Sequence, residues 1–168
     1  MEVPADGVVK VLTLPDVSGL SPAYFISIRI LDANGTQVGS NFYWLSTKPD
    51  TIDWTKSTWY MTPTASYTDF TALVQLPKVK LNVSDRSEQK DENELTHITL
   101  ENPSKNLAFF VRLKLDKGKG GDEILPVLWE DNYLSLLPGE KREITATYRA
   151  SELGLAKPYV EVSGWNLR

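Results

Sequence analysis

The sequence predicts an all-β fold: an immunoglobulin-like antiparallel β-sandwich preceded by a partial sandwich of about three strands. Three observations predict it. Apolar residues recur at every second position in several separate runs, the pattern of a strand with one dry and one wet face. Turn-forming clusters fall between those runs. Helical periodicity is nearly absent.

The first candidate strand is 8–14. The second is 24–31, where Tyr24, Ile26, Ile28 and Ile30 share a face. Asp32-Ala33-Asn34-Gly35 follows, a hairpin signal because Asn-Gly tolerates the positive φ of tight reversals. The third candidate is 36–45. Residues 69–75 form the one short helical candidate, with Asp69 as cap and Phe70, Leu73 and Val74 on a common face. Strands are then expected at 78–84, 94–101, 107–115, 124–129, 132–137, 141–149 and 158–163. LAFFVRLKL at 107–115 shows the alternation best: Leu107, Phe109, Val111, Leu113 and Leu115 on one face, with Arg112 and Lys114 ending the other. Asn102-Pro103-Ser104-Lys105-Asn106 and Leu137-Pro138-Gly139-Glu140 separate neighbouring strands.

Composition changes at residues 46–66, STKPDTIDWTKSTWYMTPTAS, a Ser/Thr/Pro/Asp-rich stretch read as an ordered connector. Residues 67–168 hold as many candidate strands as one immunoglobulin-like sandwich uses. Residues 1–45 hold too few to close one. They read as the closing strands of a preceding domain, and the chain as a fragment of a larger protein.

Charge and composition exclude several function classes. The net charge is −4 with acids and bases interspersed, which gives no general attraction to phosphate backbones or anionic lipid. The basic run KLDKGK at 114–119 is short and glycine-containing, a solvated hairpin loop rather than a nucleic-acid patch. No apolar stretch approaches the ~20 residues of a spanning helix. MEVPADGVVK has neither the basic nor the apolar region of a signal peptide. The chain has no cysteine, so disulfides, thiolate metal sites and thiol catalysis are excluded.

His97 is the only histidine and lies inside a strand. No nucleophile elbow accompanies it, and two-histidine metal ligation within one chain is impossible. Gly118-Lys119-Gly120-Gly121 joins two strands and lacks the helix N-terminus that holds phosphate. No cofactor or metal site is expected. Glu130 and Asp131 are adjacent in an otherwise apolar run. Neighbours on a strand point to opposite faces, so they cannot both face one sugar as paired glycosidase carboxylates do. They are read as a turn or strand switch, and no catalytic residue is assigned. The connector aromatics Trp54, Trp59 and Tyr60 have two readings: wedges between the two units, or a carbohydrate-binding platform, since aromatic rings stack on the apolar C–H faces of sugars.

SNFYWLS at 40–46, YTDFTALVQLPKVKL at 67–81, ENPSKNLAFFVRLKL at 101–115, ILPVLWEDNYLSLLPGE at 124–140 and VSGWN at 162–166 together resemble the C-terminal part of glycoside hydrolase family two. The likeness is to exo-β-D-glucosaminidases and β-mannosidase-type enzymes. The resemblance implies a terminal immunoglobulin-like sandwich of a secreted or periplasmic polysaccharide-degrading enzyme, whose TIM barrel with its two catalytic carboxylates lies elsewhere. The expected function is that of a non-catalytic accessory sandwich bracing that barrel in cis. Two alternatives stand beside it. One is a carbohydrate-binding module that takes polysaccharide on the connector aromatics. The other is a protein-interaction sandwich, including a homodimer through the open edge of the first unit.

Overall fold

The computed structural model describes residues 3–168, and they form an almost entirely β structure. The chain divides into two compact units, one running to Leu73 and one from Val74 to Arg168.

The first unit is built on a hairpin of β1 (Ala23–Leu31) and β2 (Gln37–Ser46), antiparallel, with Ala23 opposite Ser46. The Asp32 side chain accepts from the Asn34 and Thr36 N–H groups and closes the turn. The positive φ falls on Gly35, at +82°, where the missing Cβ removes the steric penalty. A small ribbon follows: β3 (Thr51–Ile52) pairs with β4 (Thr64–Ser66). Residues 8–14 are not a strand. Their alternation is real, but among the described residues no neighbour supplies the ladder that a strand requires, and Val8 is 99% exposed. Of the three strands expected before residue 46, β1 and β2 form, and the β3–β4 ribbon lies in the stretch expected as the connector. Only Ala23 and Leu73 are buried in the first unit among the described residues. Ile28, Ile30, Leu31 and Val38 remain exposed, because two strands cannot cover both of their own faces.

The second unit is the sandwich. One sheet has the order β5 (Asn82–Lys90), β6 (Asn93–Glu101), β10 (Lys141–Arg149), β8 (Leu128–Trp129). The other has the order β11 (Pro158–Ser163), β7 (Ala108–Lys117), β9 (Leu134–Leu136). This is the four-plus-three division of a constant-type immunoglobulin domain, with the fifth and sixth strands exchanged between sheets. Ile98, Leu100, Ile144 and Ala146 meet Val111, Leu113, Leu115, Leu134 and Leu136 across the core. Those are the inward positions of each alternating run.

Departures from the expected elements have local causes. The strand expected at 78–84 begins at Asn82, and Val79 instead makes an isolated parallel bridge to Leu167. β5 then continues to Lys90 through SDRSEQK, where no apolar alternation announces it. Every residue of β5 is exposed, and it pairs with β6 along its whole length through the backbone. The runs expected at 124–129 and 132–137 shrink to β8 and β9. The helical candidate is a 3₁₀ turn, Thr71–Gln75, with Asp69 accepting from the Thr71 N–H and hydroxyl. A single helical turn, Ala150–Leu153, joins β10 to β11. β7 runs through to Lys117, so Lys114 belongs to a strand. The glycine loop begins at Gly118.

Two groups in the sandwich titrate on the alkaline side. Burial pushes the Tyr148 hydroxyl above its ordinary range; its bond with Thr96 (3.1 Å) opposes that, and the nearby Glu94 and Asp85 charges add to it. Hydrogen bonds to Glu161 and Asp116 raise Lys114. In both cases the folded state holds its proton more tightly than the unfolded one. Stability from these groups is complete below about pH 10 and falls as pH rises through the folded values. The melting temperature is expected to be flat through neutrality and to drop above about pH 10. Tyr148→Phe should flatten part of that drop in a calorimetric pH series.

Candidate functional site

The chemistry-bearing residues singled out in the sequence lie in the WEDN segment of the sandwich, at His97 in β6, and in the aromatic arm of the first unit.

In WEDN the acids are committed to the backbone. The Glu130 N–H donates to the Thr145 carbonyl (2.9 Å), and its Oε2 accepts from the Thr145 N–H (3.0 Å). Glu130 thus extends the pairing of β8 with β10 by one residue, using its side chain as the acceptor. Asp131 Oδ1 accepts from the Asn132 N–H (2.8 Å), and Oδ2 lies 3.4 Å from Arg142. Asn132 does on the opposite sheet what Glu130 does on the first: Oδ1 accepts from the Leu113 N–H (2.8 Å) and Nδ2 donates to the Leu113 carbonyl (2.9 Å). The chain is zipped to β10 before the switch and to β7 after it. The strand-switch reading of Glu130 and Asp131 therefore matches their hydrogen bonds. Asn132 completes the device by bonding both backbone groups of Leu113.

His97 sits half-buried on the outer side of β6. Its Nε2 is 3.3 Å from Glu88, and its Nδ1 is 3.3 Å from the Thr145 hydroxyl and 3.9 Å from Glu143. It is flanked by the Glu88 and Glu143 carboxylates and by the Thr145 hydroxyl. Among the described residues no group of three His, Cys, Asp or Glu side chains could hold a metal ion. No helix there is long and apolar enough to cross a membrane. A cleft of about 350 Å³ lies between Lys80, Val83, Val162 and Arg168, and no carboxylate side chain lines it. It lacks the facing acid pair that glycoside hydrolysis uses.

The aromatic arm spans β3 to β4. Asp53 caps a 3₁₀ turn at Trp54–Lys56 through the Thr55 N–H and hydroxyl. The Thr55 bond first, and then Lys56, hold the Asp53 carboxyl below its usual range. Beyond the turn the two sides of the arm are rungs of a short ladder. Asp53 N–H donates to the Pro63 carbonyl (2.9 Å), the Ser57 and Thr62 hydroxyls meet at 3.1 Å, and the Thr58 N–H donates to the Met61 carbonyl (2.8 Å). Trp59 and Tyr60 are the two residues left at the apex. Their rings meet edge to face, centroids 5.1 Å apart and planes at 74°. Trp59 is 94% exposed, Trp54 74% and Tyr60 71%. The structure thus joins two of the three aromatics. Trp54 makes no ring contact with either among the described residues, since its 3₁₀ turn lies below the apex.

The comparisons with known proteins agree on one family. Residues 59–167 match the family described as the exo-beta-D-glucosaminidase Ig-fold domain. The chain is 41% identical over 159 residues to an exo-beta-D-glucosaminidase of Streptomyces avermitilis, covering 92% of this chain and 18% of that protein. It is 38% identical over 157 residues to the exo-beta-D-glucosaminidase of Arthroderma benhamiae, covering 92% and 17%. Among solved structures, the Amycolatopsis orientalis exo-chitosanase CsxA superposes with a TM-score of 0.87 at 40% identity, over 93% of this chain and 19% of that one. The chain therefore spans under a fifth of the length of the relatives it matches, and it belongs to the exo-beta-D-glucosaminidase immunoglobulin-fold domain family.

Proposed function

We propose that this chain is a non-catalytic accessory sandwich of a family-two glycoside hydrolase of the exo-β-glucosaminidase type, and that it braces a catalytic TIM barrel carried elsewhere in the same polypeptide. The parent enzyme acts on a polymer too large to enter a cell, and so works in a secreted or periplasmic setting. The observation that carries this reading is the WEDN segment. Three of the four carboxylate oxygens of its two acids engage the Thr145 and Asn132 N–H groups and Arg142. A glycosidase carboxylate is instead held free to meet the glycosidic oxygen or the anomeric carbon. The resemblance of the chain to a small part of each relative favours a supporting role over a reacting one.

The test is a hydrolysis assay on the purified chain with an aryl β-D-glucosaminide and with chitosan oligosaccharides. No turnover above buffer is expected. Glu130→Gln and Asp131→Asn should lower the melting temperature by a few degrees, since each weakens about 1 kcal/mol of hydrogen bonding or ion pairing. Turnover that survives repurification and disappears in one of those variants would refute the reading.

A further inference from the structure

We propose that the apex of the aromatic arm, Trp59 with Tyr60, is a binding site for cationic amino-sugar oligosaccharides. The inference rests on the reading of the parent as a glucosaminidase-type enzyme and adds a ligand-contacting role to the accessory one.

Large aromatic side chains gain by leaving water, and a turn apex is where a folded chain ordinarily places Gly, Asn, Asp or Ser. Here two aromatics occupy the apex, and Trp59 is almost wholly exposed. The arm does not hold them loosely. The Asp53–Pro63, Ser57–Thr62 and Thr58–Met61 rungs fix the reversal, and the edge-to-face contact fixes the rings against each other. That is a preorganised pair of apolar faces, which lowers the ordering cost of binding.

The size of the apex selects the occupant. A protein interface of ordinary size takes about 800 Å² from each partner, whereas an aromatic side chain supplies at most about 150–250 Å². Two rings match one or two sugar rings far better than a protein face. Their surroundings are also suited to a sugar: Ser57, Thr58 and Thr62 bring hydroxyls to the base of the apex, within the same short stretch as the rings. The charge selects among sugars. The face of an aromatic ring attracts a cation, the chain as a whole carries −4, and the Lys56 ammonium, three residues before Trp59, is paired with Asp53 at 3.1 Å. A glucosamine unit brings an apolar C–H face and an ammonium group together, while its N-acetylated form keeps only the face.

The experiment is NMR of the ¹⁵N-labelled chain titrated with a fully deacetylated chitosan hexamer, at a pH where the amines are protonated, and separately with the N-acetylated hexamer. The Trp59 indole signal should shift saturably, with a dissociation constant near 1 mM. The N-acetylated hexamer should bind about three-fold more weakly, the size of an exposed cation–π contribution. Trp59→Ala and Tyr60→Ala should each weaken binding about ten-fold, while Trp54→Ala leaves it unchanged. Both apex residues are exposed, and unchanged signals from the sandwich verify that the variants are folded. The proposal is overturned by no shift at about 10 mM hexamer, by equal affinity for the two hexamers, or by binding that persists in Trp59→Ala. It is also overturned if the indole responds to the separate catalytic domain and not to sugar, which would assign the apex to domain docking. None of these results touches the accessory reading, which falls only if the chain hydrolyses a glycoside.

Discussion

Asn102→Ala is expected to destabilise the sandwich by about 3–5 kcal/mol, enough to remove much of the ~5–15 kcal/mol that holds a domain of this size together. Asn102 is fully buried at the end of β6. Its Nδ2 donates to the carbonyls of Asn106 (2.8 Å), Leu136 (3.0 Å) and Leu137 (3.2 Å). Its Oδ1 accepts from the Ser104 hydroxyl (2.8 Å) and N–H (3.2 Å). Its own backbone meets Glu140 and Gly139. One amide therefore ties the loop after β6 to the end of β9 and to the Leu137–Glu140 turn, linking the two sheets. Alanine would strand several backbone groups away from water, and each unmade bond costs about 1–3 kcal/mol. Asn102→Asp is a sharper version. It keeps the shape but faces three carbonyl oxygens with an acceptor, so the loss should be at least as large. Urea denaturation followed by far-ultraviolet circular dichroism measures both, and a loss below about 1 kcal/mol would contradict the argument.

Asn166→Ala should cost about 2–4 kcal/mol. Asn166 is also buried. It donates to the carbonyls of Pro77 (2.7 Å) and Leu107 (2.8 Å) and accepts from the Phe109 N–H (2.8 Å). The segment entering the sandwich, the start of β7 and the segment after β11 are joined there. The Val79–Leu167 bridge lies alongside. Hydrogen exchange adds a local readout: the Phe109 amide should lose protection in Asn166→Ala, while the amides of β10 change only with global stability. Retained protection at Phe109 would show that another acceptor takes its place.

These two amides mark the boundary of what could be read from sequence. Period-two alternation located β1, β2, β6, β7, β10 and β11 to within a residue or two, because each buries one face against the core or carries large apolar side chains on it. Where burial does not write the pattern, the reading failed. Residues 8–14 alternate but pair with no strand among the described residues. β5 pairs fully yet buries nothing, so Asp85–Lys90 carried no signal. β3, β4, β8 and β9 span two or three residues, too few for a period to show. Asn102, Asn132 and Asn166 were visible only as turn residues or as pieces of a resemblance. Their work is done by geometry between segments far apart in sequence, and no local pattern encodes it. The candidate site was legible in part. The change in composition at residues 46–66 pointed to Trp54, Trp59 and Tyr60, but only the fold shows that the second and third share an apex and the first does not.

The exposed, charge-studded border formed by β5 has a consequence for how such a module travels in longer proteins. A bare strand rim normally invites another chain to zip onto it. One reading Asn-Val-Ser-Asp-Arg-Ser-Glu-Gln-Lys sets the desolvation of four charged side chains against a copy that approaches. The sandwich can thus sit beside neighbouring domains as a discrete bead without seeding fibres.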